Sequence, residues 1–148
     1  MTTLAFDGKT LASDSQVSCG GMITSTSEQK IYILKDGRCF AGCGTVKFVT
    51  IVLKWLNDGQ PDPAPTWDEK DGDFEGLIVN ADGTNPCEIY SGGVFSPVEV
   101  PWVGGSGCRF ALAAMRLGYT ARQAVECAKG LDAYTGGPVQ TIRMRKRK

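Results

Sequence analysis

The chain has 148 residues, the length of one domain, and its 42% apolar content supports a real core and excludes wholesale disorder. Sixteen Lys and Arg balance sixteen Asp and Glu, which disfavours a globally basic nucleic-acid binder. Histidine is absent, which removes Ser-His-Asp and Cys-His catalysis and His-ligated zinc together.

The charge balance hides an asymmetry. Five of the 16 cations fall in the final RMRKRK (143–148), so the rest of the chain is net negative. No apolar run reaches the roughly 18 residues of a membrane helix, and the first residues lack a basic-then-apolar leader pattern. A cytoplasmic protein is expected. Cysteines stand at 19, 39, 43, 87, 108 and 127 with no C-x-x-C spacing, so they read as reduced, small buried hydrophobes.

In chain order, segments 2–6 and 10–14 flank Asp7-Gly8 and predict a hairpin. Residues 15–29 are rich in Ser, Thr and Gly with no core-facing period, which predicts an ordered loop. Segments 30–34 and 38–43 flank Lys35-Asp36-Gly37, a second hairpin. Over 45–58 the period changes: Val49, Val52, Leu53 and Leu56 follow three-four spacing, so a helix runs to Gly59. The Pro- and Asp-rich 60–73 reads as a loop. A third hairpin joins 74–80 to 88–91 around Ala81-Asp82-Gly83, and 94–103, with prolines at 97 and 101, is an extended edge or crossing segment.

A turn at Gly104-Gly105-Ser106-Gly107 then opens a helix over 108–117. Thr120 and Gln123 form a capping box for another helix to about 129, and 138–144 returns as a strand. Strand blocks alternate with helix blocks, which predicts antiparallel sheets covered by helices rather than a parallel nucleotide-binding sheet. The Gly104–Gly107 run has neither dinucleotide nor P-loop spacing. The carboxylates at 68–75 miss the EF-hand pattern, and no metal site or cofactor is expected.

The chemistry of a histidine-free chain points to its N-terminus. Removal of Met1 would leave Thr2 first, a residue that carries both a nucleophile and a base. Its hydroxyl attacks, and its α-amine, with an unperturbed pKa of roughly 7.7–8.0, takes the proton near neutrality. Thr2-Thr3-Leu4-Ala5-Phe6, Leu11-Ala12-Ser13-Asp14-Ser15 and Lys30-Ile31 resemble the start of proteasome β subunits and HslV-type peptidases. Ala41-Gly42-Cys43-Gly44, Gly105-Ser106-Gly107 and Leu131-Asp132-Ala133-Tyr134-Thr135-Gly136-Gly137 resemble later runs of the same family, in family order across nearly the whole chain. A short phage- or bacterial-type N-terminal-nucleophile hydrolase fits the set.

The resemblance implies a four-layer αββα sandwich of two antiparallel sheets with outer helices, formed by the whole chain 1–148 as one domain. It implies that Thr2 is the nucleophile and Lys30 the buried cation favouring the neutral amine. Asp14 would pair with Lys30, and Ser106, Asp132 and Thr135 would hold the amine by hydrogen bonds. The Gly44 N–H would face the oxyanion, a donor whose loss typically costs about 2.7–4 kcal/mol in the transition state. Val17, Gly42 and Val46 resemble the specificity pocket, expected here to be roomy and apolar. Implied partners are a peptide or unfolded-protein substrate, further copies in a ring, and an ATPase unfoldase; no membrane is implied.

Two departures from the family bear on these expectations. Eleven residues separate Thr2 from Asp14, fewer than the family has. A two-residue turn at Asp7-Gly8 would pair Phe6 with Lys9, whereas a four-residue loop over 7–10 pairs Phe6 with Leu11. The registers differ by about 6.6 Å along the strand, a misplacement catalysis would not survive, and the four-residue loop is favoured. The Pro-rich 60–73 replaces a helix, so one helical layer is reduced. Three other readings stay open: a catalytically inactive structural subunit of the same fold, an amidohydrolase on a small amide, and nucleic-acid binding through the basic tail.

Overall fold

The first hairpin sets the frame. In the computed structural model, which describes residues 2–145, β1 (Thr3–Phe6) and β2 (Thr10–Ser13) pair antiparallel, with Leu4 opposite Ser13 and Phe6 opposite Leu11. This is the four-residue loop. Asp7 causes it: its Oδ1 accepts the N–H of Lys9 and of Thr10, each at 2.8 Å, while Gly8 takes φ +93°.

Two sheets follow from such pairings. The first has the order β10-β1-β2-β11, with β10 at Trp102–Gly105 and β11 at Gln140–Arg143. The second has the order β5-β6-β7-β8-β9, with β5 at Ile31–Ile33, β6 at Cys39–Gly44, β7 at Phe74–Val79, β8 at Cys87–Tyr90 and β9 at Val94–Pro97. All recorded pairings are antiparallel. The extended segment expected over 94–103 is both an edge and a crossing: β9 borders one sheet and β10 the other.

Apolar alternation decides how the sheets pack. Leu4, Phe6, Leu11 and Trp102 of the first sheet share one buried cluster with Ile31, Ala41, Leu77 and Val79 of the second. The other face of the first sheet carries Ala5 and Ala12, small enough for α2 (Cys108–Arg116) and α3 (Ala121–Lys129) to lie close through Ala111, Ala121, Ala124 and Val125. The other face of the second sheet carries Phe40 and Ile78, which receive Val52 and Leu56 of α1 (Val46–Asn57). Thr120 and Gln123 form the expected capping box. Asp7 Oδ2 also accepts the Ala121 N–H at 2.8 Å, so the residue that shapes the hairpin anchors α3.

Two local expectations are corrected. Residues 15–29 are not all loop: β3 (Val17–Cys19) and β4 (Met22–Ser25) form a separate hairpin around Gly20-Gly21. Its residues are largely exposed, so no core-facing period marks it. Gly104 and Gly105 belong to β10 rather than to a turn. Past β11, Met144 is buried in the inter-sheet cluster and the Arg145 N–H donates to the Ala81 carbonyl; the rest of the basic tail, 146–148, lies outside the described residues. The 60–73 segment holds one 3-10 turn (Glu69–Asp71). Cys39, Cys43 and Cys87 are buried as expected, whereas Cys19 and Cys127 are exposed.

Candidate active site

Because β1 runs antiparallel to β2 in the long-loop register, Thr2 and Asp14 come to the same end of the first sheet. The Asp14 N–H donates to the Thr3 carbonyl at 3.2 Å, and the Thr3 N–H donates to Asp14 Oδ1 at 3.0 Å. Asp14 is fully buried, at 0% exposure. A buried carboxylate needs several partners, and it has them. Oδ2 accepts the N–H of Gly136 at 3.1 Å and of Gln16 at 3.3 Å, and Lys30 Nζ lies 2.9 Å from Oδ1.

Lys30 immediately precedes β5 and brings its ammonium across from the second sheet. Its Nζ also donates to the Gln16 carbonyl at 2.6 Å. The Asp14 carboxylate and the Gln16 carbonyl thus both hold the ammonium, and Lys30 lines the same cavity as Thr2.

A second polar array approaches Thr2 from the turn before α2 and the loop after α3. Ser106 Oγ and Thr135 Oγ1 each donate to Asp132 Oδ2 at 2.6 Å. Ser106 Oγ and the Gly107 N–H both point at the Thr2 carbonyl, each at 3.4 Å. Partial burial works to raise the Asp132 carboxyl, but hydrogen bonds from Ser106, Thr135 and the Tyr134 N–H outweigh it and hold the group below the usual carboxylate range. Thr135 Oγ1 also lies 2.7 Å from Thr3 Oγ1.

Glycine is required where β10 meets this end. Gly105 has φ +86°, and a Cβ there would come 1.9 Å from the Thr2 carbonyl oxygen.

Two cavities open on Thr2, and Cys43 and Gly44 line both. The first, about 150 Å³, is bounded by Val17, Gly42 and Val46, so these three expected pocket residues are brought together. It is neither roomy nor simply apolar. Glu28, Gln29, Tyr32 and Thr50 complete it, and a Cβ on Gly42 would lie 2.7 Å from Phe40 and 3.1 Å from Val49. Burial, and then the Glu28 charge, push the Tyr32 hydroxyl above its ordinary pKa. The second cavity, about 270 Å³, lies between Gly44, Asp73, Glu75, Gly105 and Ser106.

Cys43, beside Thr2, is no rival nucleophile: burial pushes its thiol pKa up to about 12. All of Thr2, Asp14, Lys30, Gly44, Ser106, Asp132 and Thr135 therefore gather at one end of the inter-sheet core. Gln16, Thr3, Asp73 and Glu75 join them without having been read from the sequence.

No family model and no curated protein sequence matches the chain. Solved structures do. Thiobacillus denitrificans BPH superposes with TM-score 0.68 at 19% identity, covering 97% of this chain and 98% of that one. The same protein in complex with epoxomicin gives 0.69 with the same identity and coverage. Eukaryotic HslV from Trypanosoma brucei gives 0.69 at 19% identity, covering 96% of this chain and 98% of that one. The chain has the fold of these proteins. At this identity the likeness speaks for the fold, and the chemistry must be argued from the residues.

Proposed function

We propose that the chain is a threonine-type peptidase of the proteasome and HslV kind, with the four-layer sandwich of that family, acting through Thr2 after loss of Met1. The observation that carries the reading is the convergence on Thr2 of a buried Lys30–Asp14 pair and a Ser106–Asp132–Thr135 array, in a fold shared with HslV and with a protein that binds epoxomicin.

In this reading Thr2 Oγ1 attacks the scissile carbonyl while the Thr2 α-amine accepts the hydroxyl proton. The Lys30 ammonium beside it disfavours a second positive charge and keeps the amine a base. Asp14 holds that ammonium in place. Ser106 and Asp132 orient the amine. The Gly44 N–H stabilises the oxyanion. The amine then gives its proton to the leaving nitrogen, an ester forms on Thr2, and water activated by the same amine releases the acyl half. The acyl side chain occupies the cavity of Val17, Gly42 and Val46. The reading carries with it a homo-oligomeric ring in the cytoplasm, fed by an ATPase unfoldase.

Cleavage of an unfolded protein such as casein tests it. Thr2→Ala is expected to abolish cleavage and Thr2→Ser, which keeps both hydroxyl and amine, to retain it. Undiminished cleavage by Thr2→Ala would reject the mechanism.

A further inference from the structure

Two cavities flank Thr2, and the proposed mechanism uses only one. The cavity containing Lys30 takes the acyl side chain, so the other, between Gly44 and Ser106, faces the leaving half of the substrate. That second cavity is not closed. Asp73 and Glu75 line it and also line a larger neighbouring cleft of about 530 Å³ that Trp67, Glu88 and Tyr90 help to form.

The β6–β7 pairing places the backbone that carries the two shared acidic residues. Glu75 stands opposite Cys43 and Phe74 opposite Gly44, and the Asp73 carbonyl accepts the Thr45 N–H at 2.8 Å. The Glu75 carboxylate reaches across to β10, where the Gly105 N–H donates to it, and its Oε2 lies 3.2 Å from where a Cβ on Gly104 would stand. Further out, Glu88 is held by the indole N–H of Trp102 at 2.8 Å and by the Tyr90 hydroxyl. Among the described residues, neither Asp73 nor Glu75 forms an ion pair, and no Lys or Arg lines either the cavity or the cleft.

We propose that Asp73 and Glu75 are specificity-determining residues, which select substrates with a lysine or arginine on the leaving side of the scissile bond. The inference rests on Thr2 being the nucleophile. A cation entering this space meets two carboxylates in a lining that holds no Lys or Arg, while an acidic side chain meets like charge. Such juxtaposition discriminates between partners more than it adds affinity.

The test uses paired quenched-fluorescent peptides, identical except for Lys or Glu directly after the scissile bond, with the cut site verified by mass spectrometry. The same peptides, labelled for anisotropy, are bound to Thr2→Ala, which cannot form the ester. Lys is expected to be favoured about tenfold over Glu in kcat/KM, and in affinity for Thr2→Ala. The ratio should fall toward one in Asp73→Asn/Glu75→Gln, and should shrink as salt rises.

If the double variant fails to fold, Glu75→Gln alone is expected to lower the ratio. A ratio near one in the unmodified site, a ratio unchanged by the substitutions, or no binding of either peptide overturns the proposal. The two readings fail separately. Charge-selective binding without any cleavage would reject Thr2 as nucleophile and keep the cleft. Cleavage without charge preference would do the reverse.

Discussion

Asp14 is the residue on which the site's electrostatics turn. Three backbone N–H groups and one ammonium converge on a carboxylate with no solvent access. Asp14→Asn would leave the Lys30 ammonium without its counter-charge. It is expected to cost about 3–5 kcal/mol in urea unfolding, and to lower kcat by at least about 100-fold, the scale of misplaced acid-base catalysis.

Glu75 makes the opposite prediction. Burial, with the carboxylates of Glu88 and Asp73 nearby, holds its carboxyl above the usual range against the contrary effect of the Gly105 N–H. A carboxyl raised on folding destabilises the folded state once it ionises. Glu75→Gln should therefore raise the melting temperature near neutral pH, and the gain should vanish as pH falls below the ordinary carboxylate range. A variant less stable at neutral pH than the parent would contradict this.

The residues of the candidate site were unequally legible. Thr2, Asp14, Lys30, Ser106 and Asp132 stand in recognisable runs, so order along the chain was enough. Gln16 acts on Lys30 through its backbone carbonyl, which no side-chain pattern reveals. Asp73 and Glu75 face Thr2 only because β7 pairs with β6, so their place depends on a register that spacing alone does not reveal.

At the scale of elements, the hairpin loop decides whether the geometry of the candidate site exists. Asp7 accepts from Lys9 and Thr10 within the loop and from Ala121 at the start of α3. Asp7→Ala removes all three bonds. The expected loss is about 2 kcal/mol by chemical denaturation, with a fall in activity because the register carries Thr2. Asp7→Asn, which keeps an acceptor, should lose less.

Gly105→Ala is expected to be severe, since its Cβ would overlap the Thr2 carbonyl and its φ is left-handed. Loss of soluble protein or of activity would each satisfy this, and a fully active variant would not. The helices were legible because their apolar faces repeat. The β3–β4 hairpin was not, because its exposed Met22 and Ile23 serve no core; only Gly20-Gly21 signalled it.

At the scale of the molecule, small and large residues sort the layers. Alanines at 5 and 12 let α2 and α3 lie close to one sheet, while Phe40 and Ile78 meet α1 on the other. The first sheet carries Thr2, Asp14 and Ser106 at its end, and the second supplies Lys30 and Gly44, so the candidate site exists only when both sheets pack. The fold class was legible from the alternation of strand and helix blocks. Which residues face each other between sheets was not, because that needs long-range packing.

The central claim is that Thr2 becomes a working N-terminal nucleophile. Intact mass of the purified protein, before and after treatment with an epoxyketone such as epoxomicin, tests it most directly. The account predicts a mass lacking Met1 that gains one stoichiometric adduct, and no adduct in Thr2→Ala. A chain that retains Met1 and takes up no epoxyketone would contradict it and favour a structural subunit of the same fold.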